Sequence, residues 1–250
     1  MSDTTPPAVA FEHVTTVLGG RTVLDDLSFA IEPGEAVCVL GKSGTGKSVT
    51  LKTIMGLMTP DAGRVFVEGE EVTDAPRHVL SEIRQRLGFL FQNSALFDSI
   101  SVAENVAFPL RRHTDYTDAE IDEIVFEKLA EVGLEGDVDK MPADLSGGMR
   151  KRVGLARAMV LDPPILLVDE PSAGLDPITA EEIDDLLREL RDERGTTLVV
   201  VTHNIPSARK IGKRLMVLDQ GKIVAEGTAG QLDRSDLPLV REFMKSKGSG

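Results

Sequence analysis

Short apolar runs and amphipathic stretches follow one another along the chain, and their order predicts the architecture. Val23 to Ile31 and Ala36 to Leu40 read as strands separated by the turn Glu-Pro-Gly at Glu32 to Gly34, and Gly63 to Glu68 reads as a third strand closed by Gly69. A helix is predicted from about Lys47 to Leu57. From about Arg77 the texture changes: Ile121, Ile124, Val125, Leu129 and Val132 recur at helical spacing with acids between them, which predicts a helical insert over roughly 91–159. Strand patterns return at Ile165 to Val168, Leu198 to Thr202 and Leu215 to Leu218, with Ile183, Leu186, Leu187 and Leu190 forming the apolar stripe of a helix between the first two. Strand, helix, strand at this spacing implies a parallel sheet with ligands at its carboxyl edge.

Two segments fall on that edge. GKSGTGKS, Gly41 to Ser48, follows the apolar run AVCVL and fits G-x-x-x-x-G-K-[ST] through Gly41, Gly46, Lys47 and Ser48. Its glycines let successive backbone N–H groups turn toward one anion, Lys47 reaches outer phosphates, and the Ser48 hydroxyl is placed to ligate magnesium. The following helix points its positive dipole end at the same place. A ligand-free glycine turn is the plain alternative, and the strand-loop-helix context argues against it. ILLVDE, Ile165 to Glu170, reads as a buried strand ending in two carboxylates. Acids often close strands simply by meeting water, but two beside a buried run point to a cation or a reaction nearby.

A third segment, LSGGMRKR at Leu145 to Arg152, opens a helix whose apolar positions Met149, Val153, Ala156 and Val160 share a face. Ser146 with two glycines offers a hydroxyl and unobstructed N–H groups at a helix start, either a second anion site or an ordinary N-cap. Arg150, Lys151 and Arg152 read as a solvated helix face or a local phosphate-facing cluster, and the acids of EEIDD at Glu181 to Asp185 as the polar side of their helix. His13, His78 and His113 read as surface residues.

With 250 residues, 41% of them hydrophobic, the chain can bury one large domain or a domain with a subdomain. A loose lead-in over 1–10, a folded domain over 11–245 and a loose tail over 246–250 are expected. No run of eighteen apolar residues occurs, and MSDTTPPAVA lacks a basic region followed by an apolar stretch, so neither a membrane span nor a signal peptide is expected, and the chain should stay in the cytosol. The single cysteine, Cys38, reads as a small buried side chain. A net charge of −13, from 28 Lys and Arg against 41 Asp and Glu, works against nucleic-acid backbones and anionic lipid headgroups, so membrane association should run through a protein partner. With no Trp, one Tyr and nine Phe, base-stacking material is scarce as well.

Six motifs in order then make the chain resemble an ATP-binding cassette ATPase over nearly its whole length. GKSGTGKS resembles the Walker A loop, Gln92 in FLFQ the Q-loop, LSGGM the signature, ILLVD the Walker B strand, SAGLD at Ser172 to Asp176 the D-loop, and His203 in VVVTHN the switch histidine. The resemblance implies an α/β P-loop NTPase fold with a parallel core sheet, an antiparallel β subdomain and a helical subdomain. It implies ATP and Mg2+, with Gly41, Lys42, Ser43, Gly44, Thr45, Gly46, Lys47, Ser48 and Val49 around the phosphates. Ser48 and Gln92 would ligate the metal with Asp169 behind them through water, Glu170 would polarise the attacking water, and Lys47 and His203 would contact the γ-phosphate. Ser146, Gly147 and Gly148 would close on a nucleotide. Spacing leaves open whether they close in cis or in trans, and the family implies trans, hence a dimer around two ATPs.

The family also implies an integral membrane permease as partner and a peripheral place on the cytoplasmic face of the inner membrane. Phe89 to Thr114, the run MPADLSGGMRKR from Met141, and GKSVTLK with Val49 resemble one branch, the ATPases of Mla/Mce-type lipid transporters including Mkl-like proteins. That branch implies phospholipid or other lipid cargo, with Mce-type substrate-binding and small accessory subunits. In it Phe97, Ile100, Val102 and Phe108 would either line the permease-docking groove or fill the helical core. A small-solute importer, such as one for amino acids, remains the alternative. A non-transport cassette of DNA repair, chromosome structure or translation is disfavoured by the lack of long coiled coils, zinc modules or a second cassette. One position departs from the family: where an aromatic residue usually stacks on adenine, VTTVLGGR places Leu18 or Val17, which implies weak preference for ATP over GTP.

Overall fold

Five of the six strands of the central sheet are buried on both faces, and their alternate residues feed two separate cores; the sixth, an edge strand, is only half-buried. The computed structural model describes residues 5–246, so 1–4 and 247–250 of the expected loose ends lie outside the described residues. In chain order the first elements are β1 (Val9–Leu18), β2 (Arg21–Ile31), β3 (Ala36–Leu40), α1 (Lys47–Ile54), β4 (Ala62–Val67) and β5 (Glu70–Glu71). The middle of the chain gives α2 (Arg77–Gln85), β6 (Leu87–Leu90), α3 (Val102–His113), α4 (Asp118–Glu131) and α5 (Gly147–Met159). Then come β7 (Ile165–Asp169), α6 (Pro177–Arg194), β8 (Thr197–Thr202), α7 (Ile205–Ile211), β9 (Arg214–Asp219), β10 (Lys222–Gly227), α8 (Ala229–Asp233) and α9 (Pro238–Lys245).

The six-stranded sheet runs β10-β9-β3-β8-β7-β6, with β9, β3, β8, β7 and β6 parallel and β10 an antiparallel edge. Val37, Val39, Leu167 and Val199 face one core, shared with α1 and with Val9, Phe11 and Leu24 of a four-stranded antiparallel sheet ordered β2-β1-β4-β5. Cys38, Leu40, Leu166 and Val200 face the other, built by the helices from α3 onward. The expected combination of parallel core, antiparallel sheet and helices is the one found, and α3, α4 and α5 lie within the predicted insert 91–159. Registers Leu40↔Thr202 and Asp169↔Val201 align the carboxyl ends of β3, β8 and β7. Four adjacent strands, β3, β8, β7 and β6, therefore deliver four of the motifs to one edge.

Several features depart from the sequence reading. Ala8 and Val9, placed in the lead-in 1–10, are buried, and β1 starts the domain two residues before position 11. The pattern of β1 is hidden because the ladder slips register between Phe11 and Val14 and again beyond Val14, with His13 in the left-handed region at φ 53°. β6 is only four residues, too short for a periodicity to show.

The acids of EEIDD are not all solvated: Asp184 is buried, and its carboxylate accepts a hydrogen bond from Ser207 Oγ of α7. Burial pushes its pKa up to about 6, with the Ser207 bond and Lys210 opposing and Asp185 and Glu181 reinforcing the shift. A carboxyl raised in this way gives stability that is complete below its unfolded value of 3.8 and is lost as pH rises through about 6. Asp184→Asn should therefore gain on wild type in thermal melts between pH 4 and pH 7, by at most about 3 kcal/mol. A difference independent of pH would refute this account of Asp184.

Candidate functional site

The loop leaving β3 is shaped by close backbone approaches. A Cβ at Gly41 would stand 2.6 Å from the Leu218 carbonyl oxygen, and one at Gly46 would stand 2.7 Å from the Val23 carbonyl oxygen, where φ is already +105°. Only glycine fits either place without displacing main chain. Thr45 closes the turn by donating from its N–H and Oγ1 to the Lys42 carbonyl at 3.3 and 2.9 Å. α1 begins at Lys47 with no side-chain cap and no acid in its first turn, so its N-terminal amides stay available to an anion. Lys47 is buried, and its Nζ donates to the carbonyls of Gly41 at 2.7 Å and Lys42 at 3.1 Å.

Asp169 and Glu170 close β7, and both are buried. Burial pushes the Asp169 pKa up, with the Ser48 hydrogen bond opposing it, Glu170 reinforcing it, and Lys52 and Lys151 opposing it. Ser48 Oγ donates to Asp169 Oδ1 at 3.0 Å, joining loop and acidic strand. Glu170 takes a left-handed backbone, φ +48°, which turns its carboxylate over the edge of the sheet. There Lys47 Nζ lies 3.5 Å from Oε1, Thr202 Oγ1 donates to Oε2 at 3.0 Å, and His203 Nδ1 lies 2.9 Å from each oxygen. Sequence reasoning missed Thr202, since a threonine at a strand end is common. Its signal is the register that sets β8 beside β7.

These residues open onto a cleft of about 390 Å³ lined by Leu18, Val23, Ser43, Gly44, Gly46, Lys47, Ser48, Val49, Gln92, Glu170 and His203. Gly41, Lys42 and Thr45 shape the loop from behind. The oxygen donors near Lys47 are a hydroxyl, a carboxylate and the Gln92 amide, and among the described residues no three or more His, Cys, Asp or Glu are grouped as a metal cage. That set suits magnesium, which takes few protein oxygens and completes its shell with water and phosphate, and it does not suit zinc.

Ser146, Gly147 and Gly148 do not line the cleft. Ser146 caps α5 by accepting from the Met149 N–H at 3.2 Å, and a Cβ on Gly148 would overlap Thr179 of α6. Lys151, expected with its neighbours on a solvated helix face or in a phosphate-facing cluster, is buried, and its Nζ donates to the Glu170 carbonyl at 3.1 Å. Burial pushes its pKa down to about 8, with Asp169 and Glu170 opposing.

Of the four apolar residues after Gln92, Val102 is buried in the helical core and Ile100 is half-buried, whereas Phe97 and Phe108 are 44% and 46% exposed. The rings of Phe97 and Phe108 lie 4.8 Å apart on the wall of a groove of about 300 Å³ that Phe89, Phe91 and Arg157 also line. Arg157 donates to the carbonyls of Ser94 at 2.6 Å and Ala95 at 2.9 Å, so one side chain joins this groove to the loop carrying Gln92.

The profile of the ABC transporter family matches residues 24–173. The chain is 43% identical over 247 residues to the probable ribonucleotide transport ATP-binding protein mkl of Mycobacterium tuberculosis, covering 98% of this chain and 69% of that protein. It is 38% identical over 242 residues to the intermembrane phospholipid transport system ATP-binding protein MlaF of Escherichia coli, covering 97% of this chain and 90% of MlaF. Among solved structures, the dimeric post-hydrolysis state of the ATP-binding cassette MJ0796, bound to ADP and Pi, superposes with a TM-score of 0.82 at 35% identity, covering 88% of this chain and 98% of that one. The cbiO1 protein of Clostridium perfringens, part of the cbiONQ transporter complex, gives 0.81 at 28% identity over 96% of this chain and all of that one. With its glycine loop, acidic strand and His203 on one sheet edge, and with relatives matched over nearly its full length, the chain belongs to the ABC transporter family, as its ATP-binding cassette ATPase.

Proposed function

We propose that this cassette hydrolyses ATP as a homodimer with two nucleotides at its interface and drives a bacterial membrane permease of the Mla/Mce type that moves phospholipid. The observation carrying the catalytic part is the placement of Glu170, buried at the end of β7 with its carboxylate facing Lys47, Thr202 and His203. In this reading Lys47 and the loop amides from Gly41 to Val49 bind the β- and γ-phosphates. Ser48 and Gln92 would hold Mg2+, with Asp169 behind through water, and the ion would supply charge neutralisation along the phosphates. Glu170 orients the attacking water and accepts its proton, and His203 holds the γ-phosphate end. General-base assistance contributes about 10²–10⁴-fold, and the fixed positive charge and amides contribute most of the remainder.

Ser146, Gly147 and Gly148 lie on α5 and its cap, away from the β3 loop and the Asp169–Glu170 strand end that surround the cleft, which supports closure on the nucleotide of a second copy. The dimeric MJ0796 cassette supports the same reading. Under this proposal the cassette domain keeps its boundary near residue 245, and α3, α4 and α5 form the helical subdomain that carries both signature and docking groove. Exposed Phe97 and Phe108 favour the docking role for that pair and assign Val102 to the core. No helix among the described residues is long and apolar enough to cross a membrane, so attachment at the cytoplasmic face of the inner membrane would run through the permease. Mce-type substrate-binding and small accessory subunits complete the proposed complex.

The names of the relatives point to different cargo, ribonucleotide for mkl and phospholipid for MlaF. The phospholipid reading rests on MlaF, which the chain matches at 38% identity over 90% of its length, and on the branch resemblance of the segment from Phe89 to Thr114. Affinity capture of the intact complex from membranes, with lipid extraction, tests it. Recovery of a multi-helix permease, an Mce-type protein and phospholipid is expected, whereas recovery of a permease with a soluble periplasmic receptor would establish the small-solute alternative. At the proposed base site, Leu18 and Val17 are 40% and 39% exposed, and the cleft lining holds no Phe, Tyr or Trp. GTP should therefore compete with ATP within about tenfold, or about 1.4 kcal/mol. A much stronger preference in equilibrium competition would contradict the aliphatic contact.

A further inference from the structure

Lys151 is a buried cation that takes no part in the mechanism above. Lys151 is 4% exposed, on the second turn of α5, five residues beyond Ser146. Burying an ammonium is unfavourable unless it finds partners, and this one is aimed at a single main-chain oxygen, the Glu170 carbonyl at 3.1 Å. The same carbonyl accepts the Ala173 N–H at 3.3 Å, and the Glu170 N–H donates to the Val201 carbonyl at 2.9 Å. Glu170 needs this anchoring because its φ of +48° is a left-handed conformation that a side chain other than glycine holds only when its surroundings impose it.

We propose that Lys151 is a positioning residue for Glu170: its ammonium clamps the carbonyl of the left-handed residue and so aims the carboxylate at Lys47, Thr202 and His203. A helix face of MRKR supplies this contact from inside the protein, since the backbone of α5 runs beside the end of β7. The clamp also fastens the helix that begins with the signature to the acidic strand of the same protomer. It therefore links the segment serving one nucleotide to the glutamate serving the other.

The proposal rests on Glu170 acting on the attacking water, and the test separates the two. In the purified full chain, Glu170→Gln should retain ATP binding and lose turnover. Lys151→Met, close in length and without charge or donor, should lower kcat roughly 10- to 100-fold, in keeping with the effect of a misplaced catalytic group, while ATP affinity stays within about twofold. Lys151→Arg should recover most of the rate, because it returns a cation and a donor. Thermal melting and circular dichroism establish that each variant is folded. If Lys151→Met does not fold, Lys151→Gln and Lys151→Arg carry the comparison, with the shorter neutral donor expected to be the slower. A folded Lys151→Met or Lys151→Gln protein with wild-type kcat would overturn the clamp. So would a loss of ATP affinity that matches the loss of kcat, since that marks general damage and not misplacement of Glu170. Retained turnover in Glu170→Gln would overturn both readings, whereas an inactive Glu170→Gln beside an unimpaired Lys151→Met would overturn the clamp alone.

Discussion

Two neighbouring carboxylates buried at the end of β7 set the terms for everything around them. Asp169 and Glu170 are 7% and 8% exposed, and bringing such a pair out of water is unfavourable without cations and donors placed against it. The fold supplies these from separate elements: Ser48 and Lys47 from the start of α1, Thr202 and His203 from the end of β8, and Lys151 from α5. Only a parallel arrangement of β3, β8 and β7 brings those elements to one edge. The left-handed turn at Glu170 then directs one acid into the cleft while Asp169 remains behind Ser48.

What the sequence made legible follows from the same physics. Strands buried on both faces appear as unbroken apolar runs, so β3, β7, β8 and β9 could be read directly, and the phosphate loop is recognisable because its glycines and its lysine sit at fixed offsets. β1 was hidden by register slips around His13, and β6 by its four-residue length. The burial of Lys151 and Asp184 is hidden for another reason. A charged residue on an amphipathic pattern is solvated by default, and what overrides the default is a partner far away in sequence: the Glu170 carbonyl for Lys151, and Ser207 for Asp184. Such pairings leave no local trace.

The geometry also divides the chain's work between two faces. The cleft around Lys47 gathers the residues to which the proposal gives the nucleotide and the attacking water, but the signature residues stand elsewhere, with Ser146 capping α5 and Gly148 packed on α6. On the groove side, Arg157 grips the loop after Gln92 at Ser94 and Ala95 while lying 5.8 Å from the Phe97 ring centroid. One side chain thus spans the segment after Gln92 and the groove that, in the proposed complex, would meet a permease.

The central claim is that each cleft is half of a composite site, completed by a second copy. Mixing two separately inactive variants, Glu170→Gln and Ser146→Arg, tests it most directly. A mixed dimer has one site with both defects and one in which an intact Glu170 meets an intact Ser146, so closure in trans predicts that ATP hydrolysis returns on mixing. If closure were in cis, every protomer would carry a broken site, and a mixture as inactive as its two parents would contradict the account.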